Sequence, residues 1–485
     1  MATTTVHSET SVSDLKIPFD TFHNVINGKL VDTATTRHGI CPMTEEPLWE
    51  VPVATQEDVD AAVAAAKKAF RSWSRLTYDE RAAYLFKLAD GLEANQESFV
   101  ELITKEAGKP PQAAGFEVTL ALGNARKFPN QRLPEEKLLD DGARTATVRH
   151  VPYGVGVGIV PWNFPLVLGI SKAFPCLLSG NTFIWKSSPY TPYSALKLAE
   201  IATKIFPPGV FQALSGGEEL GPMLTAHPDV HKISFTGSLP TGKKVMAACA
   251  STMKKVTLEL GGNDAAVICE DVDIEAVAFQ VVLFSFLHAG QICMNIKRVY
   301  VHESIYDKFL AAMVQAAGHL KTGDGPEAAV GPVQNRMQFE KVKKMYAEIA
   351  SQGWKTAYAE EINFPHGFYL PPTILDNPPE SSSIVVEEAF GPILPVLKWT
   401  DEEDVINRVN DSQYGLGASA WSKDVKRAMR IGEQLEAGNI WINCHFELDA
   451  GLVPAGGFKE SGVGVELGQA GLQAWTQVQS IWVKH

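Results

Sequence analysis

The chain has 485 residues, 45% apolar and 20% charged, a balance that supports a large buried core and, by length, about three domain-sized units. Its net charge of -13, with no run of basic residues, argues against a surface that neutralises phosphates, so nucleic acid is not expected as a partner. The six cysteines, Cys41, Cys176, Cys249, Cys269, Cys293 and Cys444, include no C-x-x-C pair. They read as reduced thiols in a cytoplasmic protein, and no metal site is expected.

The opening MATTTVHSETSVSDLK is polar and carries Glu9 and Asp14. It lacks the apolar stretch of a signal peptide and the acid-poor character of a transit peptide, so a disordered leader is expected. In TQEDVDAAVAAAKKAFRSW, Thr55 stands as an N-cap, acids follow in the first turn, and apolar side chains recur at Val59, Ala62, Val63, Ala66 and Phe70. That spacing predicts an amphipathic helix. Val151 to Ser171 carries no formal charge, which raises a membrane helix, but Pro152, Pro161 and Pro165 interrupt it along with several glycines. Buried strand and loop in a soluble chain are expected instead, with no membrane partner.

The β-rich runs VGVGIV, NTFIWK, HKISF and KVTLEL alternate with helical stretches such as YSALKLAEIATKIF, the pattern of βαβ units and a parallel sheet. AAVIC, RVYVH and PILPVL repeat the alternation further on, so two α/β units are predicted, with LDNPPESSS as loop.

Several short stretches carry chemistry. Gly154, Gly156 and Gly158 form G-x-G-x-G, which lacks the dinucleotide spacing and is equally what a tightly packed strand shows. In PWNFP two prolines fix the backbone around Asn163, whose amide either donates to an oxyanion or simply turns the chain. FTGSLPTGKK begins as a phosphate loop, but Lys244 stands where magnesium needs a hydroxyl, which argues against a nucleotide hydrolase. A glycine turn before a helix still presents N–H groups to a pyrophosphate.

LELGGND puts Glu259 at a strand end, as a buried general base or as a solvated acid. GQICMN sets Cys293 in a turn after the apolar run AVAFQVVLFSFL, as inert packing or as a rigidly held nucleophile. His288 just upstream suggests a Cys–His pair, although such dyads meet through the fold and not through sequence proximity.

Together PWNFP, KSSPYTP, FTGS, LELGG, GQIC, EEAFGP and PAGGFKESGVG occur in the order and approximate spacing of the NAD(P)-dependent aldehyde dehydrogenase superfamily, which the chain resembles over nearly its whole length. The resemblance implies an α/β fold with two doubly wound parallel-sheet domains and a small β oligomerisation element. The nucleotide-binding domain would span 1–126 and 147–257, the catalytic domain 258–449, and the oligomerisation element 127–146 and 470–485. It implies oxidation of a small-molecule aldehyde to a carboxylic acid. The Cys293 thiolate would add to the carbonyl, Asn163 and the Cys293 N–H would hold the oxyanion, hydride would leave to NAD or NADP, and Glu259 would activate the hydrolytic water. By the same resemblance Trp162, Lys186, Ser188, Gly237, Ser238, Glu388 and Phe390 contact the cofactor. Lys172, Phe164 and Gln469 fall at substrate or proton-relay positions, and a homodimer or homotetramer is implied.

The chain also departs from that pattern. Pro189 replaces a glutamate that repels a 2′-phosphate, so NADP is not excluded by charge. Gln469 stands where a proton-relaying glutamate is frequent, which puts that relay in doubt, and His288 replaces an asparagine. Ser171 and Ala455 are small where aromatic side chains are frequent, which suggests a pocket for a bulky, aromatic or long-chain aldehyde. Two other functions compete: a cofactor-independent thiol esterase built on Cys293 and Glu259, and a catalytically silent structural member of the fold. Neither has a use for the nucleotide contacts. A coenzyme-A-acylating variant has no need of Glu259.

Overall fold

The computed structural model describes residues 11–485. The leader expected at the amino terminus falls outside the described residues up to position 10; from there the chain is ordered, contrary to expectation. Val12–Leu15 forms a turn of 3-10 helix and buries Leu15. Asn95 donates to the Leu15 carbonyl (3.0 Å) and Lys204 to the Asp14 carbonyl (2.6 Å). One apolar anchor with its flanking carbonyls satisfied outweighs the polar composition of the segment.

The molecule is α/β, as expected, with helices packed on two mainly parallel sheets. In the eight-stranded sheet the parallel strands run in the spatial order Lys255–Glu259, Lys232–Thr236, Val155–Ile159, Thr182–Lys186, Phe211–Leu214, with antiparallel strands at both edges. In the seven-stranded sheet the order is Thr356–Ala359, Thr373–Asp376, Ile393–Trp399, Ile296–His302, Asp264–Ile268, Gly417–Trp421, Asn439–Ile442; only the first is antiparallel. A separate antiparallel sheet joins Glu136–Asp140, Arg144–Pro152 and the carboxyl-terminal Thr476–Lys484.

Local rules account for most elements. Gln56–Trp73 is the expected helix: the Thr55 hydroxyl accepts from the Asp58 N–H (3.2 Å) and the Asp58 carboxylate accepts from the Thr55 N–H (2.8 Å). Of the glycine run, the packing alternative is the one observed. A Cβ on Gly156 would meet Cys176 Sγ at 2.7 Å, and one on Gly158 would meet the Phe183 ring at 2.6 Å.

The stretch Val151–Ser171 departs from expectation, because Pro165 opens a helix that runs to Leu178. Proline costs no hydrogen bond in a first turn, where N–H groups lack intrahelical partners. The Glu117 carboxylate accepts from the Leu166 (2.9 Å) and Val167 (3.3 Å) N–H groups and so caps this helix from a distant part of the chain. Among the described residues no helix is long and apolar enough to cross a membrane. The first sheet's strand that ends at Glu259 runs through residues 260–263 directly into the second sheet at Asp264. Ligands of open parallel sheets bind at the carboxyl ends of the strands.

Candidate active site

The chain leaves the helix Ile274–Phe286 through three successive left-handed residues, His288 (φ 52), Ala289 (φ 55) and Gly290 (φ 73). Two of them are not glycine, so the turn must be held by its surroundings. Gln291 holds it. Its side-chain nitrogen donates to the His288 (2.9 Å) and Pro332 (3.2 Å) carbonyls, and its side-chain oxygen accepts from the Gln334 N–H (2.8 Å). Asn163 Nδ2 donates to the Gln291 carbonyl at 3.0 Å, tying the PWNFP turn to the nucleophile turn.

Cys293 is half-buried at the end of this turn. Its N–H has no hydrogen-bond partner among the described residues. Burial pushes its thiol up to about 12, Lys297 opposes that shift, and the Glu259, Glu388 and Asp264 carboxylates add to it. The expected thiolate is therefore not preformed, and its proton has to be taken as the sulfur reacts. The suggested Cys–His pair is absent as well. The buried His288 ring stands edge-on to Phe164 (5.7 Å, 87°), and neither of its nitrogens has a partner among the described residues. Burial, then the charge of Lys109, holds His288 well below the ordinary imidazole range, so it is neutral.

Glu259 ends its strand as a buried acid and not as a solvated one. Burial, then Glu466, raises its carboxyl well above the ordinary range while Lys172 lowers it, and Oε1 has no partner among the described residues. Lys172 Nζ donates to Glu466 Oε1 (2.6 Å) and Thr236 Oγ1 (2.6 Å), and the Ser234 hydroxyl donates to the same Glu466 oxygen.

Gln469, by contrast, does not join this group. It lies in the short helix Gly468–Gln473, exposed, its amide against the Arg132 carbonyl (3.5 Å). The carboxylate beside the base is Glu466, which sequence reasoning missed. Leu467 at φ 61 breaks the chain direction between the two, so one faces inward and the other outward.

Lys186 closes the strand Thr182–Lys186 and is 7% exposed; its carbonyl accepts from the Val160 N–H (3.1 Å), while its ammonium makes no hydrogen bond or ion pair among the described residues. Burial first and Arg37 second push its ammonium down to about 8, with Glu218 opposing. Ser188 lies beyond it, its hydroxyl accepting from the Tyr190 N–H (3.2 Å). Gly237 and Ser238 form the turn into the helix Leu239–Ala250, and a Cβ on Gly237 would meet the Phe235 ring at 2.6 Å. The Trp162 and Phe390 rings meet edge to face at 5.4 Å. Glu388 Oε1 accepts from the Gly262 N–H at 3.1 Å.

The glycines of LELGG permit close approach as well as ending a strand. A Cβ on Gly262 would strike Cys293 O at 2.5 Å, and one on Gly261 the Glu388 carboxylate. A buried ammonium without a side-chain partner at Lys186 and the helix amino terminus at Leu239 are the kinds of group that receive phosphate. Around the sulfur the wall is apolar, with Phe446, Leu448 and Leu467 packed on Met294, Trp441 and Ala455. Phe164 sits under the Lys109 ammonium at 3.3 Å, and the Ser171 hydroxyl turns onto the Val167 carbonyl (2.9 Å).

Residues 31–481 match the sequence pattern of the aldehyde dehydrogenase family. The chain belongs to that family. It is 39% identical to the aldehyde dehydrogenase LUC3 of Fusarium sp over 467 residues, covering 96% of this chain and 99% of LUC3. Its fold superposes on a NAD+ complex of an aldehyde dehydrogenase from Bacillus cereus with a TM-score of 0.92 at 35% identity, covering 96% of each chain. An NADP-dependent enzyme of E. coli superposes with a TM-score of 0.93 at 32% identity, covering 98% of this chain and 99% of that one. Sequence reading of this aldehyde dehydrogenase also missed Lys297, although it lies within the GQICMNIKR stretch. It missed Lys109 and Glu117 too, a buried pair behind Phe164. Neither set follows a spacing rule.

Proposed function

We propose that this aldehyde dehydrogenase oxidises an aldehyde to a carboxylic acid with Cys293 as nucleophile. The observation that carries the reading is the setting of Cys293, which has a free N–H, the Asn163 amide on its own turn, and the open oxygen of Glu259 within electrostatic reach. The thiol loses its proton to a base as its sulfur bonds to the carbonyl carbon, and the carbonyl electron pair moves to oxygen, facing the Cys293 N–H and the Asn163 amide. A bound nicotinamide supplies the hydride acceptor. Glu259 then takes a proton from the water whose oxygen attacks the thioester carbon; the C–S bond breaks, the sulfur keeps the water's other proton as the thiol, and the product leaves as the carboxylate. Its raised affinity for protons suits a base working near neutral pH, with Lys172 and Glu466 behind it to pass the proton on.

Lys186, Ser188, Gly237, Ser238, Glu388, Phe390 and Trp162 would hold NAD or NADP. Arg37 beside Lys186, and Pro189 in place of an acid at that position, support acceptance of a 2′-phosphate, although Glu218 also acts on Lys186. Small side chains at Ser171 and Ala455 support a bulky, aromatic or long-chain aldehyde. A division into a nucleotide unit (1–126 and 147–257), a catalytic unit (258–449) and an oligomerisation element (127–146 and 470–485) is supported by the three larger sheets, although the strand Arg144–Pro152 carries the third past residue 146 and Gly462–Val463 joins the first. Exposed Leu138, Val478 and Trp482 on that sheet suit burial in a homodimer or homotetramer, and six free cysteines suit the cytoplasm.

The test follows reduced nicotinamide by absorbance with a panel of aldehydes, NAD and NADP in parallel, for wild type and Cys293→Ala. Cofactor-dependent turnover lost in the variant supports the reading. Ester cleavage without any nicotinamide signal would point instead to a thiol esterase. A strong preference for acetaldehyde over aromatic and long-chain substrates would remove the bulky-pocket reading alone.

A further inference from the structure

Lys297 lies on the central strand Ile296–His302, 6% exposed, directly behind the nucleophile. Its ammonium donates to the carbonyls of Ile292 (2.8 Å), Cys293 (2.7 Å) and Asn295 (3.4 Å), and lies 3.6 Å from Glu388 Oε1. The next carbonyl, of Met294, is taken by His445 Nε2 at 2.8 Å. Every carbonyl from Ile292 to Asn295 thus has a partner on the side away from the substrate. A buried ammonium is costly unless it is paired and hydrogen-bonded, and this one uses its donors on the peptides around one cysteine.

Two consequences follow from elementary geometry. The peptide that joins Ile292 to Cys293 is planar and trans, so its C=O and N–H point in opposite directions. With Ile292 O held by the Lys297 ammonium (2.8 Å) together with the Asn295 N–H (3.1 Å), the Cys293 N–H is turned the other way, and it has no partner among the described residues. Charge is the second consequence. The groups facing the sulfur are Lys297 on one side and the Glu259, Glu388 and Asp264 carboxylates on the others, so Lys297 alone favours a negative sulfur.

We propose that Lys297 is a positioning residue for the reaction: it holds the Ile292–Cys293 peptide so that the N–H faces the substrate oxygen, and it places a positive charge behind the sulfur. This rests on Cys293 being the nucleophile. The bond-making step is unchanged by it. Sulfur bonds to the carbonyl carbon, the thiol proton goes to a base, and the electron pair settles on an oxygen that meets an N–H already aimed at it.

The experiment compares Lys297→Met, Lys297→Gln and Lys297→Arg in the full-length enzyme. Two measurements are made: steady-state kcat and KM, and the rate of Cys293 carboxymethylation by iodoacetamide at pH 8, read on the Cys293 peptide by mass spectrometry. Losing an aimed oxyanion donor costs about 100-fold in kcat, so Lys297→Met is expected to lose roughly that with KM nearly unchanged. A change of one unit in thiol pKa is about tenfold in thiolate, so its alkylation is expected to slow about tenfold or more. Lys297→Arg keeps charge and donors and is expected to retain most of both, whereas Lys297→Gln keeps a donor without charge and is expected to alkylate as slowly as Lys297→Met. A merely structural lysine would not separate Arg from Gln in the alkylation rate. If Lys297→Met proves insoluble, the Arg and Gln pair carries the same comparison. Wild-type turnover and alkylation in Lys297→Gln would overturn the proposal. Cys293→Ala is run alongside: if it still oxidises aldehydes, the nucleophile assignment has failed, whereas the alkylation rates report on Lys297 whatever the turnover.

Discussion

Glu259, from the first sheet, and Glu388, from the loop before a strand of the second, both approach Cys293, and each faces a lysine. Their hydrogen bonds separate them. Glu388 Oε1 is occupied by the Gly262 N–H (3.1 Å) and lies near Lys297 (3.6 Å), so this carboxylate is placed to hold other groups. Glu259 Oε1 has no partner among the described residues. The lysine that lowers it, Lys172, is itself bonded to Glu466 and Thr236, which leaves the carboxyl buried, poorly compensated and ready to take a proton. Two glutamates near one thiol thus differ in which oxygen remains open and in how far burial is offset, a difference that suits the proposed roles of holder for Glu388 and base for Glu259.

Replacing each by glutamine tests this contrast most severely. Glu259→Gln is expected to cut kcat by 10²–10⁴, the usual worth of a general base, while stopped-flow absorbance still shows a first burst of reduced nicotinamide. Glu388→Gln is expected to weaken cofactor binding, measured by fluorescence titration, with hydrolysis of the acyl-enzyme intact. A burst lost in the first variant and preserved in the second would reverse the assignment.

A third buried couple, Lys109–Glu117, sharpens the contrast, because it caps the helix Pro165–Leu178 and touches no reacting group. Lys109→Met leaves a buried carboxylate unpaired and is expected to cost about 3–5 kcal/mol of stability, read by urea unfolding. The double change Lys109→Met with Glu117→Leu is expected to recover part of that loss.

Smaller effects follow from charge around the base. Glu259 works as a carboxylate and its affinity for protons is raised, so activity is expected to fall as pH drops through a limb above the ordinary carboxylate range. Lys172→Met removes the group that lowers it and moves that limb to higher pH; Glu466→Gln removes a group that raises it and moves the limb lower. Shifts of the same sign in the two kcat–pH profiles would break the comparison. The smallest change concerns the apolar wall: Ala455→Phe overfills it at about 1–3 kcal/mol, and is expected to depress kcat/KM for bulky aldehydes about tenfold while sparing acetaldehyde.

Much of the architecture was legible along the chain. The helix Gln56–Trp73 shows its cap and its apolar stripe, and the strands around VGVGIV, NTFIWK, HKISF and KVTLEL alternate with helices as βαβ units must. The helix opening at Pro165 was not, because its cap comes from Glu117, far off in sequence. Glycines and prolines marked Cys293, Asn163 and Glu259 as turn or strand-end residues, but local pattern left an inert reading open for each, and their roles came from the resemblance of the motifs taken together. Lys297 and Glu466 left no such mark.

Periodicity, turn residues and side-chain identity are local properties, so the sequence by itself determined the elements of this aldehyde dehydrogenase and the atoms available for its chemistry. Which carboxylate is free, which thiol keeps its proton, and that Glu466 and not Gln469 stands behind the base were decided only by the tertiary structure. A proton's affinity is set by burial and by charges that segments remote in sequence bring within a few ångströms, and no spacing along the chain encodes that distance.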